Sequence, residues 1–221
     1  MRRPRIRRRW IAVIAAGALG AGTTVAFAAT LGVGSWHLWA GADNLSLGVC
    51  TLTGSTTTSD TYVNQSSSGS NYSSATTMAV HPNSGSQEWA FVWFNVASCG
   101  IPTTGAADAA TLVFVASGVP SPSRTLTLQP VTSSFTFSSV TWNNAQSLTY
   151  GTPTESFATP ASAGSGVGFY VTQNVDNWIK GTANYGWRIS DGGSNTGTTA
   201  TFYTSNSASN QPQLQIIWTK P

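Results

Sequence analysis

From Thr61 to Thr219 the chain is cut into short runs of alternating apolar and polar residues by clusters of Gly, Pro, Asn and Ser. Period-two alternation places the apolar side chains on one face of an extended segment, so a chain punctuated this often forms many short strands and few helices. The runs that satisfy the pattern are 60–64, 76–80, 88–96, 110–116, 124–131, 168–172, 186–190, 199–204 and 213–219. One stretch departs from it: between Gln173 and Lys180, Val175, Trp178 and Ile179 fall at helical spacing, and Gly181 follows as a stop signal. The expectation is an all-β chain, an antiparallel β-sandwich of about nine to twelve strands with one short helix. Parallel-sheet topologies, which alternate strands with helices, are excluded.

Only 8% of the residues are charged, against about 25% in an ordinary soluble domain, so the surface is built mainly from Ser, Thr, Asn and Gly, as suits an extracellular β protein. The formal charge of +3 is set by the first nine positions, which hold Arg2, Arg3, Arg5, Arg7, Arg8 and Arg9. Beyond them Arg124, Lys180, Arg188 and Lys220 stand against Asp43, Asp60, Glu88, Asp108, Glu155, Asp176 and Asp191, a balance of −3. So few cations exclude nucleic acid as a main partner.

The cationic start, the apolar run Trp10 to Gly22 and the small residues of Ala26-Phe27-Ala28 read as a signal peptide over 1–28, which makes the protein secreted and extracellular. The alternative is an uncleaved anchor over Trp10 to Ala29. Nothing later is long and apolar enough to span a bilayer, so no stable membrane insertion is expected after cleavage. Residues 29–58 read as a lead-in segment, with Trp36, His37 and Trp39 among glycines, and 59–221 as one sandwich domain. In an oxidising compartment Cys50 and Cys99 have no other thiol to choose and are expected to pair. Neither has a second Cys or His at ligand spacing, so no metal role is expected for them.

Seven segments carry a resemblance: SDTYV (59–63), NYSSATTMAV (71–80), AFVWFNV (90–96), AATLVFV (109–115), SSVTWNNAQ (138–146), VTQNVDNWIKGTANYGWRI (171–189) and FYTSNSASNQPQLQIIW (202–218). In this order they resemble the DNRLRE domain, a carbohydrate-binding module family 96-like group of secreted β-sandwich modules often appended to polysaccharide-degrading enzymes. The most specific pieces are VTWNNA and the W-x-x-G-x-A-N-Y-G block from Trp178 to Gly186. The resemblance implies a jelly-roll type of sandwich and a secreted, non-catalytic polysaccharide-binding function. The alternative is a structural or adhesive cell-surface protein that assembles through strand edges without binding glycan. Where relatives carry basic residues on one face of the strand written here EWAFVWFNV, this chain has Trp89 and Trp93.

The alternation puts Trp89, Phe91 and Trp93 on one face and Ala90, Val92 and Phe94 on the other. Two indoles at i and i+4 of a strand lie roughly 13 Å apart, a spacing that suits sugar rings along a glycan. The competing reading is a strand covered on both faces, with both indoles in the core. An exposed pair, assisted by a hydrogen-bonding side chain such as Gln87, favours a neutral or weakly charged polysaccharide. Strong binding of uronates would instead point to Arg124, Lys180 and Arg188. Trp142, Trp178 and Trp187 read as core residues, Trp142 on a strand whose two following Asn residues build a turn. No catalytic residue is expected, because the acids are scattered singly and glycosidases need two carboxylates about 5 to 10 Å apart. No cofactor or metal is expected either: Asp60 and Asp191-Gly192-Gly193 lack the spaced oxygen ligands of a calcium loop, and His37 and His81 stand apart from any nucleophile. The oligomeric state is open.

Overall fold

The computed structural model describes residues 47–82, 85–192 and 198–220, all within the unit Trp39–Pro221. The signal segment, Trp36, His37, Trp39 and Asp43 lie outside the described residues. Eleven strands are described: β1 (Leu47–Thr53), β2 (Thr58–Asn64), β3 (Thr77–Val80), β4 (Glu88–Phe94), β5 (Ala107–Gly118), β6 (Thr125–Pro130), β7 (Glu155–Ala158), β8 (Gly166–Tyr170), β9 (Trp187–Asp191), β10 (Ala200–Tyr203) and β11 (Gln213–Thr219). All pair antiparallel. One sheet has the order β1-β11-β5-β10-β3, with β8 also on β5, and the other has the order β2-β4-β9-β6-β7.

The two sheets share one core because each strand turns its alternate residues inward. Ala90, Val92 and Phe94 of β4, Leu126 and Leu128 of β6, and Trp187 and Ile189 of β9 meet Leu112, Phe114, Phe169, Phe202, Leu214 and Ile216 of the facing sheet, all of them fully buried. Each such large side chain contributes about 1.5–3 kcal/mol by leaving water. The expected helix is present as α2 (Thr172–Ile179). It buries Val175 and Ile179, and it sets Trp178 against Trp187 with ring centroids 4.4 Å apart.

Two strands have no counterpart among the expected runs. β1 lies in the segment read as a lead-in, yet it pairs with β11 from Leu47↔Thr219 to Thr53↔Gln213. β7 is only four residues long and pairs with β6. Trp142 corrects a further expectation: it does not sit on a strand but opens a one-turn helix, α1 (Trp142–Ala145), whose Thr141 and Asn144 form a reciprocal capping box.

Cys50 on β1 and Cys99 on the turn after β4 form a disulfide, with Cα atoms 5.7 Å apart. The bond ties the edge strand of one sheet to the end of β4 in the other. Closing a loop of this length contributes about 4 kcal/mol in the chain-entropy model. Reduction is therefore expected to lower the melting temperature by roughly 8–16 °C, at about 2–4 °C per kcal/mol for a domain of this size. Calorimetry with and without reductant checks it, and an unchanged melting point would show that the bridge adds nothing to stability.

Candidate functional site

Strand β4 is covered on both faces. Its outward residue Phe91 is fully buried, because the chain from Val131 to Tyr150 folds back over the five-stranded sheet and builds a second apolar cluster from Val63, Phe91, Val131, Val140, Trp142 and Ala145. Phe135 lies 5.4 Å from Phe91, centroid to centroid, and Phe137 lies tilted against Phe135 at 4.7 Å. Of the two readings left open for this strand, the covered one holds at Phe91, and the covering separates Trp89 from Trp93. Trp89 is half-buried beneath Trp142 at 4.6 Å and beside Tyr150 at 6.4 Å. Trp93 is half-buried at the other end and opens onto a cleft of about 570 Å³.

The cleft is lined by aromatic and polar residues: Trp93, Phe135, Phe137 and Tyr185, with Thr58, Asp60, Ser73, Ser205 and Asn206 among the polar ones. Trp93 is held in place: its indole Nε1–H donates to the Asn184 carbonyl at 3.1 Å, and the Asn184 side chain donates to the Phe94 carbonyl and accepts from Gly186 N–H. Gly186 has φ +78°, and a Cβ there would stand 2.2 Å from the Val92 carbonyl oxygen. Only glycine permits this approach, which brings the Asn184-Tyr185 turn against Trp93. Volume, aromatic area and a few convergent polar groups are the ordinary make-up of a ligand site.

Asp60 is 3% exposed. Its Oδ2 accepts from Ser205 N–H at 2.6 Å, whereas its Oδ1 and the hydroxyl of Thr58, two residues earlier on the same strand face, are buried without a hydrogen-bond partner. Burial pushes the carboxyl from 3.8 up to about 6, against the lowering effect of Ser205. The folded state thus holds this proton more tightly than the unfolded chain, so its contribution to stability is full below pH 3.8 and is lost as pH rises through about 6.

The other expected site residues lie elsewhere. Gln87 precedes β4 and donates to the Pro82 carbonyl at 3.3 Å. Arg124 is 8% exposed and pairs with buried Asp191 at 2.9 Å, so it is not displayed to a ligand. Lys180 bonds Asp176 one turn away on α2, at 2.7 Å. Arg188 lies over Tyr150 at 3.7 Å and over Trp89 at 4.7 Å, and donates to Gln129. Burial lowers its guanidinium pKa, an effect that Tyr150 opposes. None of the four lines the cleft. Conversely, Asp60, Phe135, Phe137, Tyr185, Ser205 and Asn206 were not singled out as binding residues. For Phe135 and Phe137 the S-S-F-T-F-S-S run at 133–139, with aromatic residues alternating in a polar stretch, is a signal that could have found them; Asp60, Ser205 and Asn206 carry none.

The sequence model of carbohydrate-binding module family 96 matches residues 51–218. The chain belongs to carbohydrate-binding module family 96. No curated protein matches it. Membership in family 96 makes it a carbohydrate-binding module by type, and the match begins within β1 and ends within β11. Both edges of the family 96 domain therefore fall on paired strands of one sheet. No described helix is long and apolar enough to cross a membrane, and no group of three or more His, Cys, Asp or Glu suited to a metal ion occurs among the described residues.

Proposed function

We propose that this protein is a secreted, non-catalytic module that binds a polysaccharide without strong negative charge in the Trp93 cleft. The observation that carries the reading is the cleft's composition: aromatic faces for the apolar sides of sugar rings, neutral hydroxyls and amides for their hydroxyl groups, and no Lys or Arg in the lining. A uronate polymer would need cations, and the described arginines and Lys180 are committed to Asp191, Asp176 or the Tyr150 and Trp89 rings. Asp60 is the single carboxylate lining the cleft, which supports binding over hydrolysis by a carboxylate pair. The N-terminal cationic and apolar segment supports export.

The test is retention on insoluble neutral polysaccharides and affinity electrophoresis in soluble ones, comparing wild type with Trp93→Ala. The variant is expected to lose at least about tenfold in affinity, on the order of one sugar-stacking indole, with its melting transition retained. Wild-type retention that survives Trp93→Ala would remove the cleft from the function. The adhesive reading draws on β1, an edge strand of its sheet that leaves Leu47 and Val49 each 57% exposed. Concentration-dependent self-association together with no retention on any polysaccharide would favour it.

A further inference from the structure

We infer that Asp60 is the residue through which the cleft reads its glycan, accepting a hydrogen bond from a sugar donor group on Oδ1. This rests on the glycan-binding reading of the cleft. A carboxylate oxygen buried without a partner is costly, because the lost hydration is not replaced, and native structures rarely keep one without a use. Asp60, one of the cleft's lining residues, keeps one. Oδ2 is tied to Ser205 N–H, which leaves Oδ1 as the acceptor available to a ligand. Asp60 pairs with Val92 and so lies on the face of the sheet opposite Trp93; β2 is the edge strand of that sheet, and its Ser59 and Asp60 both line the cleft, so a ligand seated against Trp93 meets Asp60 around that edge. The hydroxyl of Thr58 on the same strand face, likewise without a partner, supplies a second polar group for the same ligand.

The donor chemistry has two sources, a hydroxyl of a neutral sugar or the ammonium of an amino sugar. Both suit an acceptor with no cation beside it, and a uronate does not. Tyr185 is the only other ionisable side chain in the lining, and Tyr62 the only other on the same face of β2. No charge on β3, β4 or the 204–207 segment acts on Asp60, whose shift comes from burial and Ser205 alone.

Calorimetric titration of the full chain at pH 7.5 with a neutral β-glucan oligosaccharide, a chitosan oligosaccharide and a uronate oligosaccharide tests this. Asp60→Asn is expected to weaken binding of the neutral or the amino sugar at least about tenfold, since bonds to a charged acceptor are about twice as strong as neutral ones. Its melting temperature at pH 7.5 should equal or exceed that of wild type. Loss on the glucan alone identifies a hydroxyl donor, and greater loss on chitosan identifies an ammonium. Wild-type affinity for the neutral glucan, a ligand that does not itself titrate, should also fall about tenfold between pH 7.5 and pH 5, as the competent ionised fraction shrinks, a readout that needs no variant to fold. Asp60→Asn binding as tightly as wild type, a flat pH profile, or preference for the uronate would overturn the assignment. If Trp93→Ala abolishes binding while Asp60→Asn does not, the cleft stands and only Asp60's role falls. If Trp93→Ala leaves binding intact, the cleft itself is the wrong place.

Discussion

Gly186→Ala is expected to destabilise the protein by at least about 3 kcal/mol and to destroy the cleft with it. The added Cβ would lie 2.2 Å from the Val92 carbonyl oxygen and 3.0 Å from Trp93 Cα, and both are backbone atoms that no rotamer change can move aside. The positive φ of 78° adds about 1–2 kcal/mol for any L side chain. Relief requires β9 to separate from β4, at the pair Val92↔Trp187, where fully buried Trp187 enters the core. At about 2–4 °C per kcal/mol the melting temperature should fall by roughly 6–12 °C or more. Glycan retention should fall further than at any single lining residue, because Asn184, Tyr185 and Trp93 would lose their registration together. Thermal denaturation decides it: a variant melting within about 2 °C of wild type would show that the sheet accommodates the methyl group.

Arg124→Met should cost about 3–5 kcal/mol, the usual penalty when one member of a buried ion pair is removed and the other stays. Arg124 and Asp191 have side chains only 6% and 1% exposed, joined at 2.9 Å. Arg124 leads into β6 and Asp191 closes β9, whose ladder pairs Leu126 with Asp191. Replacing both, as Arg124→Met with Asp191→Leu, should recover most of the loss, since two apolar side chains of similar size avoid the desolvation of the charges. Urea denaturation of the two variants separates the outcomes, because an altered midpoint at unchanged slope reports stability alone. If the single variant matches wild type, the pair is not the buried contact the geometry describes. Glycan binding should persist in the folded double variant, which separates Arg124 from the Trp93 cleft.

The strands and the helix were legible where local pattern is sufficient. The alternation of Glu88–Phe94 gave both faces of β4 correctly, and the i, i+3, i+4 spacing of Val175, Trp178 and Ile179 gave α2. β1 escaped because Leu47–Thr53 directly follows a stretch broken by glycines, where the alternation has no clear start, and its place in the fold comes from pairing with β11, more than 150 residues away in sequence. Trp142 was rightly placed in the core and wrongly placed on a strand: a four-residue helix has no period to read, and a capping box at Thr141 and Asn144 holds it.

The site divides in the same way. Local sequence placed Trp89 and Trp93 on one face, through the two-residue period of the strand. It carried no information on what lies above that face, since the covering chain, Val131 to Tyr150, comes from the connection between β6 and β7. Asp60 was placed at the head of a strand with no binding role for the same reason: its burial and its bond to Ser205 join positions 145 residues apart. The sequence by itself determined the all-β class, the helix, the single cysteine pairing and the family. Tertiary structure alone decided that Phe91 is covered, that Trp93 opens onto a cleft, that Arg124 is spent on Asp191, and that a carboxylate is among the residues lining that cleft. The physical reason is range: propensity and periodicity act over a few residues, whereas burial and charge pairing depend on which distant segments the closed sandwich brings together.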